Sequence, residues 1–123
     1  MTNETAGIYC RLSQDDGNAG ESGSIQTQKT LLTQYCEEHH IEIGDYYCDD
    51  GWSGTNFDRP DFKRMLDDIE AEKINMVIVK DLSRFGREYA QMGMYIEHYF
   101  EEKGVRFISV AENIDSNNGV DNM

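Results

Sequence analysis

An arginine and a serine two positions apart, Arg11 and Ser13, close the short β-type run Tyr9-Cys10-Arg11-Leu12-Ser13. Side chains of an extended strand alternate between faces, so Tyr9, Arg11 and Ser13 share one side while Cys10 and Leu12 take the other. A guanidinium fork binds two phosphoryl oxygens, and a hydroxyl beside it can attack phosphorus. The pairing therefore suits phosphoryl transfer. Three further arginines, Arg59, Arg84 and Arg87, fall at or beside expected strand-to-helix connections, where functional groups of α/β proteins collect.

Those cations sit in an acidic chain. Eleven Lys and Arg against 24 Asp and Glu give a net charge of −13. Affinity for nucleic acid comes largely from cations neutralising phosphates, so this balance predicts poor DNA binding by the chain alone. With 123 residues, 38% apolar, the chain has room for one domain with a real core. No stretch is apolar enough to span a membrane, and Met1 to Thr5 lacks the pattern of a signal peptide, so a soluble, cytoplasmic protein is expected. Cys10, Cys36 and Cys48 are odd in number and lack C-x-x-C spacing, which fits reduced, packed thiols better than a disulfide or zinc framework.

Positioning such a site takes strands and helices in alternation. Ala6 to Leu12 reads as a first strand, and 13–23, with Gly17, Gly20 and Gly23, as a loop without a phosphate-cradling G-x-x-x-x-G-K-[ST] pattern. Ser22 or Ser24 can cap a helix that ends near His39-His40, with Ile25, Gln28, Leu32, Tyr35, Cys36 and His39 on one face. Ile41 to Cys48 reads as a second strand, followed by a loop from Asp49. Arg59-Pro60 opens a second helix striped by Phe62, Met65, Leu66 and Ile69. Met76 to Val79 is an apolar third strand, Lys80 to Arg87 a loop, Glu88 to Lys103 a third helix stopped by Gly104, and Val105 to Val110 a fourth strand. The order βαβαβαβ predicts a mainly parallel, four-stranded sheet with helices on its faces and a crevice at the carboxyl ends of the strands. Ser13, Asp49-Asp50 and the Lys80 to Arg87 loop all fall at such ends.

Four motifs in register carry a resemblance. Tyr9-Cys10-Arg11-Leu12-Ser13, Ser24-Ile25-Gln26-Thr27-Gln28, Asp50-Gly51-Trp52-Ser53-Gly54 leading to Arg59-Pro60, and Asp81-Leu82-Ser83-Arg84-Phe85-Gly86-Arg87 together resemble the catalytic domain of the serine site-specific recombinases, the resolvase and invertase family. The last motif is most similar to the large serine recombinases of conjugative transposons and phages. The resemblance covers almost the whole chain. It implies DNA strand exchange with no metal or nucleotide cofactor: Ser13 as nucleophile, forming a 5′-phosphoserine link, Arg11, Arg84 and Arg87 as phosphate-binding arginines, and Arg59 as a further active-site arginine. Gln28, Asp50 and Ser53 match polar residues around the site. The family usually has Asp where this chain has Ser83, so a carboxylate is missing there, and Asp81 or Asp50 is the available substitute. The resemblance also implies assembly from dimer to tetramer, with residues 1–110 as the catalytic domain and 111–123 as a polar connection toward a long helix and DNA-binding domains.

Other readings stand beside it. Asp49-Asp50 at a strand end, with Lys80, would suit a Mg²⁺-dependent phosphohydrolase or a receiver-like phospho-acceptor, though such chemistry does not need the arginines. An acidic, non-enzymatic interaction domain is the third. His39, His40 and His98 lie away from Ser13 in the expected layout, Arg64 and Arg106 read as surface charges, and Met92, Met94, Tyr95 and Tyr99 as core or subunit interface.

Overall fold

Residues Ala6 to Arg11 are all buried, because their strand, β1 (Thr5–Leu12), runs through the middle of the sheet. The computed structural model describes residues 4–12, 24–51, 59–86 and 89–116. β1 lies between β2 (Glu42–Asp50) and β3 (Met76–Val79), and β4 (Arg106–Ser109) and β5 (Ile114–Asp115) extend the sheet in the order β2-β1-β3-β4-β5. The first four strands are parallel and β5 is antiparallel to β4. From β1 the chain moves one way to β2, then crosses back to β3 on the other side. This reversal between β1 and β3 is a topological switch point, the place where open α/β sheets have their crevice.

The helices divide between two faces, as the alternating strand residues require. α1 (Ile25–Glu38) is capped by Ser24, whose Oγ accepts from Thr27 N at 3.0 Å. It buries Gln28, Leu32 and Cys36, and its apolar contacts are with Ala6, Ile8, Cys10, Met76 and Ile78. Tyr35, expected on the same face, packs half-buried against this cluster, whereas His39 is exposed and stacks on the Tyr35 ring at 4.0 Å. α2 (Pro60–Glu70) covers the opposite face, packing Phe62, Met65 and Ile69 onto Tyr9, Tyr47, Val77 and Val79.

Differences from the sequence-based expectation lie at element ends. The stretch after β3 is not wholly loop: Leu82–Phe85 form a one-turn helix, α3. The expected third helix is present as α4 (Tyr89–Gly93), six π-helical residues (Met94–Tyr99) and α5 (Phe100–Lys103), ended by Gly104 at φ 72°. The change of pitch accompanies an aromatic cluster, in which Tyr95 meets Phe62 at 5.2 Å and Phe85 meets Phe107 at 5.1 Å. β2 continues through Asp49 and Asp50, which pair with Arg11 and Leu12. The residues after Val110 form a turn and then β5 at Ile114–Asp115, and Arg106 is no bare surface charge. Its Nε and Nη2 bind both carboxylate oxygens of Asp115 at 2.9 and 2.6 Å, and its Nη1 binds Glu4 at 2.7 Å, which clamps the fifth strand and the N-terminal segment to β4. Arg64 likewise stacks on Tyr47 at 4.3 Å and binds Asp45 at 2.7 Å. Among the described residues no helix is long and apolar enough to cross a membrane.

Candidate active site

A four-residue helix is too short to hold its own shape, and its last carbonyls lack intrahelical partners. In α3 those carbonyls face guanidinium groups. Arg11 Nη2 donates to Ser83 O and Arg11 Nε to Arg84 O at 3.2 Å, while Arg59 Nη2 donates to Phe85 O at 2.8 Å. Cations at the carbonyl end of a helix are electrostatically favourable. Arg84, on α3 itself, reaches back and donates from Nη1 to Arg11 O at 3.3 Å. Three arginines from three separate segments thus surround one helical turn at the carboxyl end of β1. Arg11 and Arg59 are fully buried and Arg84 nearly so.

The N-terminal end of α3 is held by acids. Asp81 is the N-cap: its Oδ1 accepts from Arg84 N at 3.0 Å and from the Ser83 hydroxyl at 2.6 Å, and its Oδ2 lies 3.9 Å from Arg84 Nε. Burial works against ionisation of Asp81. The Ser83 hydrogen bond, the Arg84 N–H and the charges of Arg84 and Lys80 prevail and hold its carboxyl below the usual range. A carboxylate therefore stands beside Arg84 although position 83 is a serine.

Gln28 fixes the end of β1 from the other face. Its Oε1 accepts from Arg11 N at 3.1 Å and its Nε2 donates to Arg11 O at 3.0 Å, so a side-chain amide pairs with the Arg11 backbone as a neighbouring strand would. Gln28 is fully buried. Gly51 N donates to Leu12 O and carries the β1–β2 pairing one step further. The backbone immediately before Ser13 is therefore held on both sides.

A second chain of bonds supports Arg59. Its Nη1 donates to the Tyr9 hydroxyl at 2.7 Å, and that hydroxyl donates to Asp49 Oδ2 at 2.8 Å. Asp49 also accepts from Asp61 N at 2.9 Å and Phe62 N at 3.0 Å, the first-turn amides of α2. Burial lifts the Tyr9 phenol far above its ordinary value, against the pull of Arg59 and helped by Asp49, so it stays neutral and keeps both roles. The guanidinium of Arg59 also lies over the Phe62 ring, 5.1 Å from its centre.

Of the residues expected from sequence, Arg11, Gln28, Arg59, Asp81, Ser83 and Arg84 converge here. Ser13, Ser53 and Arg87 lie outside the described residues. Asp50 is exposed at the end of β2, paired in register with Leu12. Its neighbour Asp49, read as half of a metal-binding or phospho-acceptor pair, is committed to backbone amides and Tyr9. Sequence reasoning missed Asp49 and Tyr9 as supports of Arg59. The available signal was the placement of an acid opposite the first turn of α2, which only strand register reveals.

On the α1 face, Cys10 and Cys48 are register partners on β1 and β2. The neighbouring Cys10 thiol pulls Cys48 below the ordinary thiol range against the effect of burial, with Lys29 nearby assisting. Cys10 is pushed up, by its bond to Cys48 and by burial.

The family model described as resolvase, N-terminal domain, matches residues 6–123. The fold is similar to that of the N-terminal catalytic domain of TP901-1 integrase, with 31% identity and a TM-score of 0.86 over 95% of this chain and 85% of that one. A resolvase family site-specific recombinase from Streptococcus pneumoniae is 29% identical, with a TM-score of 0.77 over 94% of this chain and 77% of its own. In Bacillus phage phi105, uncharacterized immunity region protein 3 is 36% identical over 69 residues, which are 56% of this chain and 83% of the phage protein.

Proposed function

We propose, from the premise that this chain belongs to the resolvase family through its N-terminal domain, that it is the catalytic domain of a serine site-specific recombinase acting on DNA through Ser13. The observation that carries the reading is the convergence of Arg11, Arg59 and Arg84 on one helical turn at the carboxyl end of β1, one residue beyond which the chain supplies Ser13. In a chain of net charge −13, that concentration of buried cations is a site for an anion.

The step is a phosphoryl transfer. The Ser13 Oγ forms a bond to phosphorus, the P–O3′ bond breaks, and the 3′ oxygen leaves as a hydroxyl, while the 5′ phosphate stays on the serine. Charge accumulating on the phosphoryl oxygens needs donors fixed in advance, and guanidinium groups supply charge and geometry together. Nearby positive charge also favours the alkoxide form of the serine. The phosphoserine diester conserves the energy of the broken bond, so a 3′ hydroxyl from another strand can reverse the step without an external energy source. Arg87 joins Arg11 and Arg84 as a phosphate-binding arginine in this reading, and Gln28, Ser53 and Asp50 are its supporting residues, with Asp81 orienting Arg84 in place of the acid that Ser83 lacks. The acidity of the chain assigns duplex affinity to other parts of the full protein, which works as a dimer or tetramer, each subunit giving one serine. Residues 111–123 lead toward those parts.

The test is a covalent adduct. The protein carrying this domain is incubated with DNA containing its recombination site, denatured and digested, and the Ser13 peptide is found with a 5′-phosphonucleotide attached. Ser13→Ala forms none while binding DNA normally. An adduct that persists in this variant, or maps to another residue, overturns the assignment.

A further inference from the structure

We propose that Glu112 is a positioning residue for this site, holding the N-terminal end of the turn that carries Arg84. The inference rests on the functional reading above for its catalytic consequence and on the structure alone for the grip. Both carboxylate oxygens of Glu112 accept from Leu82 N, at 3.2 and 3.3 Å. Leu82 is the first residue of α3, and its N–H has no partner within so short a helix. Asp81 takes the Arg84 amide, Glu112 the Leu82 amide, and Arg11 and Arg59 the carbonyls at the other end. Glu112 thus completes the set of anchors that substitutes for the helical length α3 lacks.

Glu112 can serve as an anchor because it is itself tied to the sheet. The hydroxyl of Ser109, the last residue of β4 and fully buried, donates to its Oε1. The turn that bears it is fastened to the end of β3 by Val110 N to Val79 O at 3.1 Å and Ala111 N to Lys80 O at 2.8 Å, and closed by Asn113 N to Val110 O at 3.1 Å. Asn113 adopts φ 58°, which turns the chain back into β5. The Glu112 carboxylate therefore has a fixed address relative to β3, from which the Arg84 turn springs. None of the motifs that point to the site contains this residue, which lies 30 positions beyond its partner.

The test compares Glu112→Ala with Glu112→Gln, which keeps a carbonyl oxygen for Leu82 N. Amide hydrogen exchange of a peptide spanning Leu82–Phe85 is expected to rise about tenfold in the alanine variant and to return near wild type in the glutamine variant, with β1 and β3 peptides unchanged. In the same pair the single-turnover rate of Ser13 adduct formation at saturating DNA is expected to fall about tenfold and to recover, with DNA affinity unaltered. Unchanged exchange at Leu82–Phe85 in Glu112→Ala overturns the grip. Raised exchange across β1 and β3 as well reduces Glu112 to a general stabiliser and also overturns it, as does a normal adduct rate beside a loosened turn. Should wild type form no adduct at Ser13, the functional reading fails, and the exchange measurement decides the grip on its own.

Discussion

Asp49→Asn is the sharpest probe of how Arg59 is supported. The substitution keeps size and shape, so no cavity forms and the change is confined to hydrogen bonding. The carboxylate is 2% exposed and accepts three bonds, Asp61 N on Oδ1 and Phe62 N and the Tyr9 hydroxyl on Oδ2. An amide has one oxygen. Placed at the Oδ2 position it keeps two partners, now as neutral bonds, and turns its NH₂ against Asp61 N. Hydrogen bonds to a charged group contribute about 1.5–3 kcal/mol each, so losing one outright and weakening two predicts a loss of roughly 2–4 kcal/mol. For a chain of this size that lowers Tm by about 8–16 °C. Urea or thermal unfolding of the chain measures it, with Asp50→Asn, one residue along and exposed, as the control expected to stay within about 0.5 kcal/mol. A double-mutant cycle with Tyr9→Phe should show coupling of about 1 kcal/mol or more, since the two side chains share a bond. Asp49→Asn within about 0.5 kcal/mol of wild type, or equal to Asp50→Asn, would refute the network.

Gln28→Leu should cost roughly 2–4 kcal/mol by leaving the buried Arg11 peptide without its amide partner, and a stability loss below about 0.5 kcal/mol in denaturant unfolding would contradict the pairing role. Arg84→Lys keeps the charge but not the planar fork that reaches Arg11 O, so adduct formation should fall about a hundredfold or more with DNA affinity nearly intact; near-normal kinetics would contradict the role given to the guanidinium geometry. Native-state alkylation should strike Cys48 before the buried Cys10 and Cys36, with a rate that rises through a midpoint below the ordinary thiol range near ~8.5; a midpoint in or above that range would refute the pull of Cys10 on Cys48.

Much of the frame was legible in the sequence because local pattern determines it. Alternation along Tyr9 to Ser13 put Tyr9 and Arg11 on one side of the strand, away from Cys10, and Ser24, Pro60 and Gly104 marked helix ends where they occur. The parallel pairing of the first four strands followed from their alternation with helices, while their order in the sheet did not. What escaped depends on partners far apart in the chain. α3 looks like loop because its four residues are helical only by virtue of Arg11, Arg59, Asp81 and Glu112. β5 looks like open connection because Arg106, nine residues earlier, is what binds Asp115. The exchange of roles between Asp49 and Asp50 turns on the phase of one strand: a run expected to stop at Cys48 continues two residues, which sends Asp49 under α2 and Asp50 into solvent. The site arginines were identifiable as a set, but not the carbonyls they bind, since a backbone acceptor leaves no trace in residue type.

The central place of β1 has a consequence for anyone seeking to alter this protein. One half of the site, the end of β1, rests mostly on main-chain geometry: the β2 ladder, continued by Gly51 against Leu12, on one side, and on the other the β3 ladder as far as Ile8, then the Gln28 amide against Arg11. The other half, the turn bearing Arg84, hangs on individual side chains from 11, 59, 81 and 112. Evolution or an engineer can therefore retune the second half one residue at a time, shifting a guanidinium by fractions of an ångström while the sheet stays folded. In the first half Gln28 alone is such a dial among the described side chains. Variants with changed activity and intact stability should accumulate around α3 and its anchors, and the strand that leads into Ser13 should yield mostly variants that are either unaltered or unfolded.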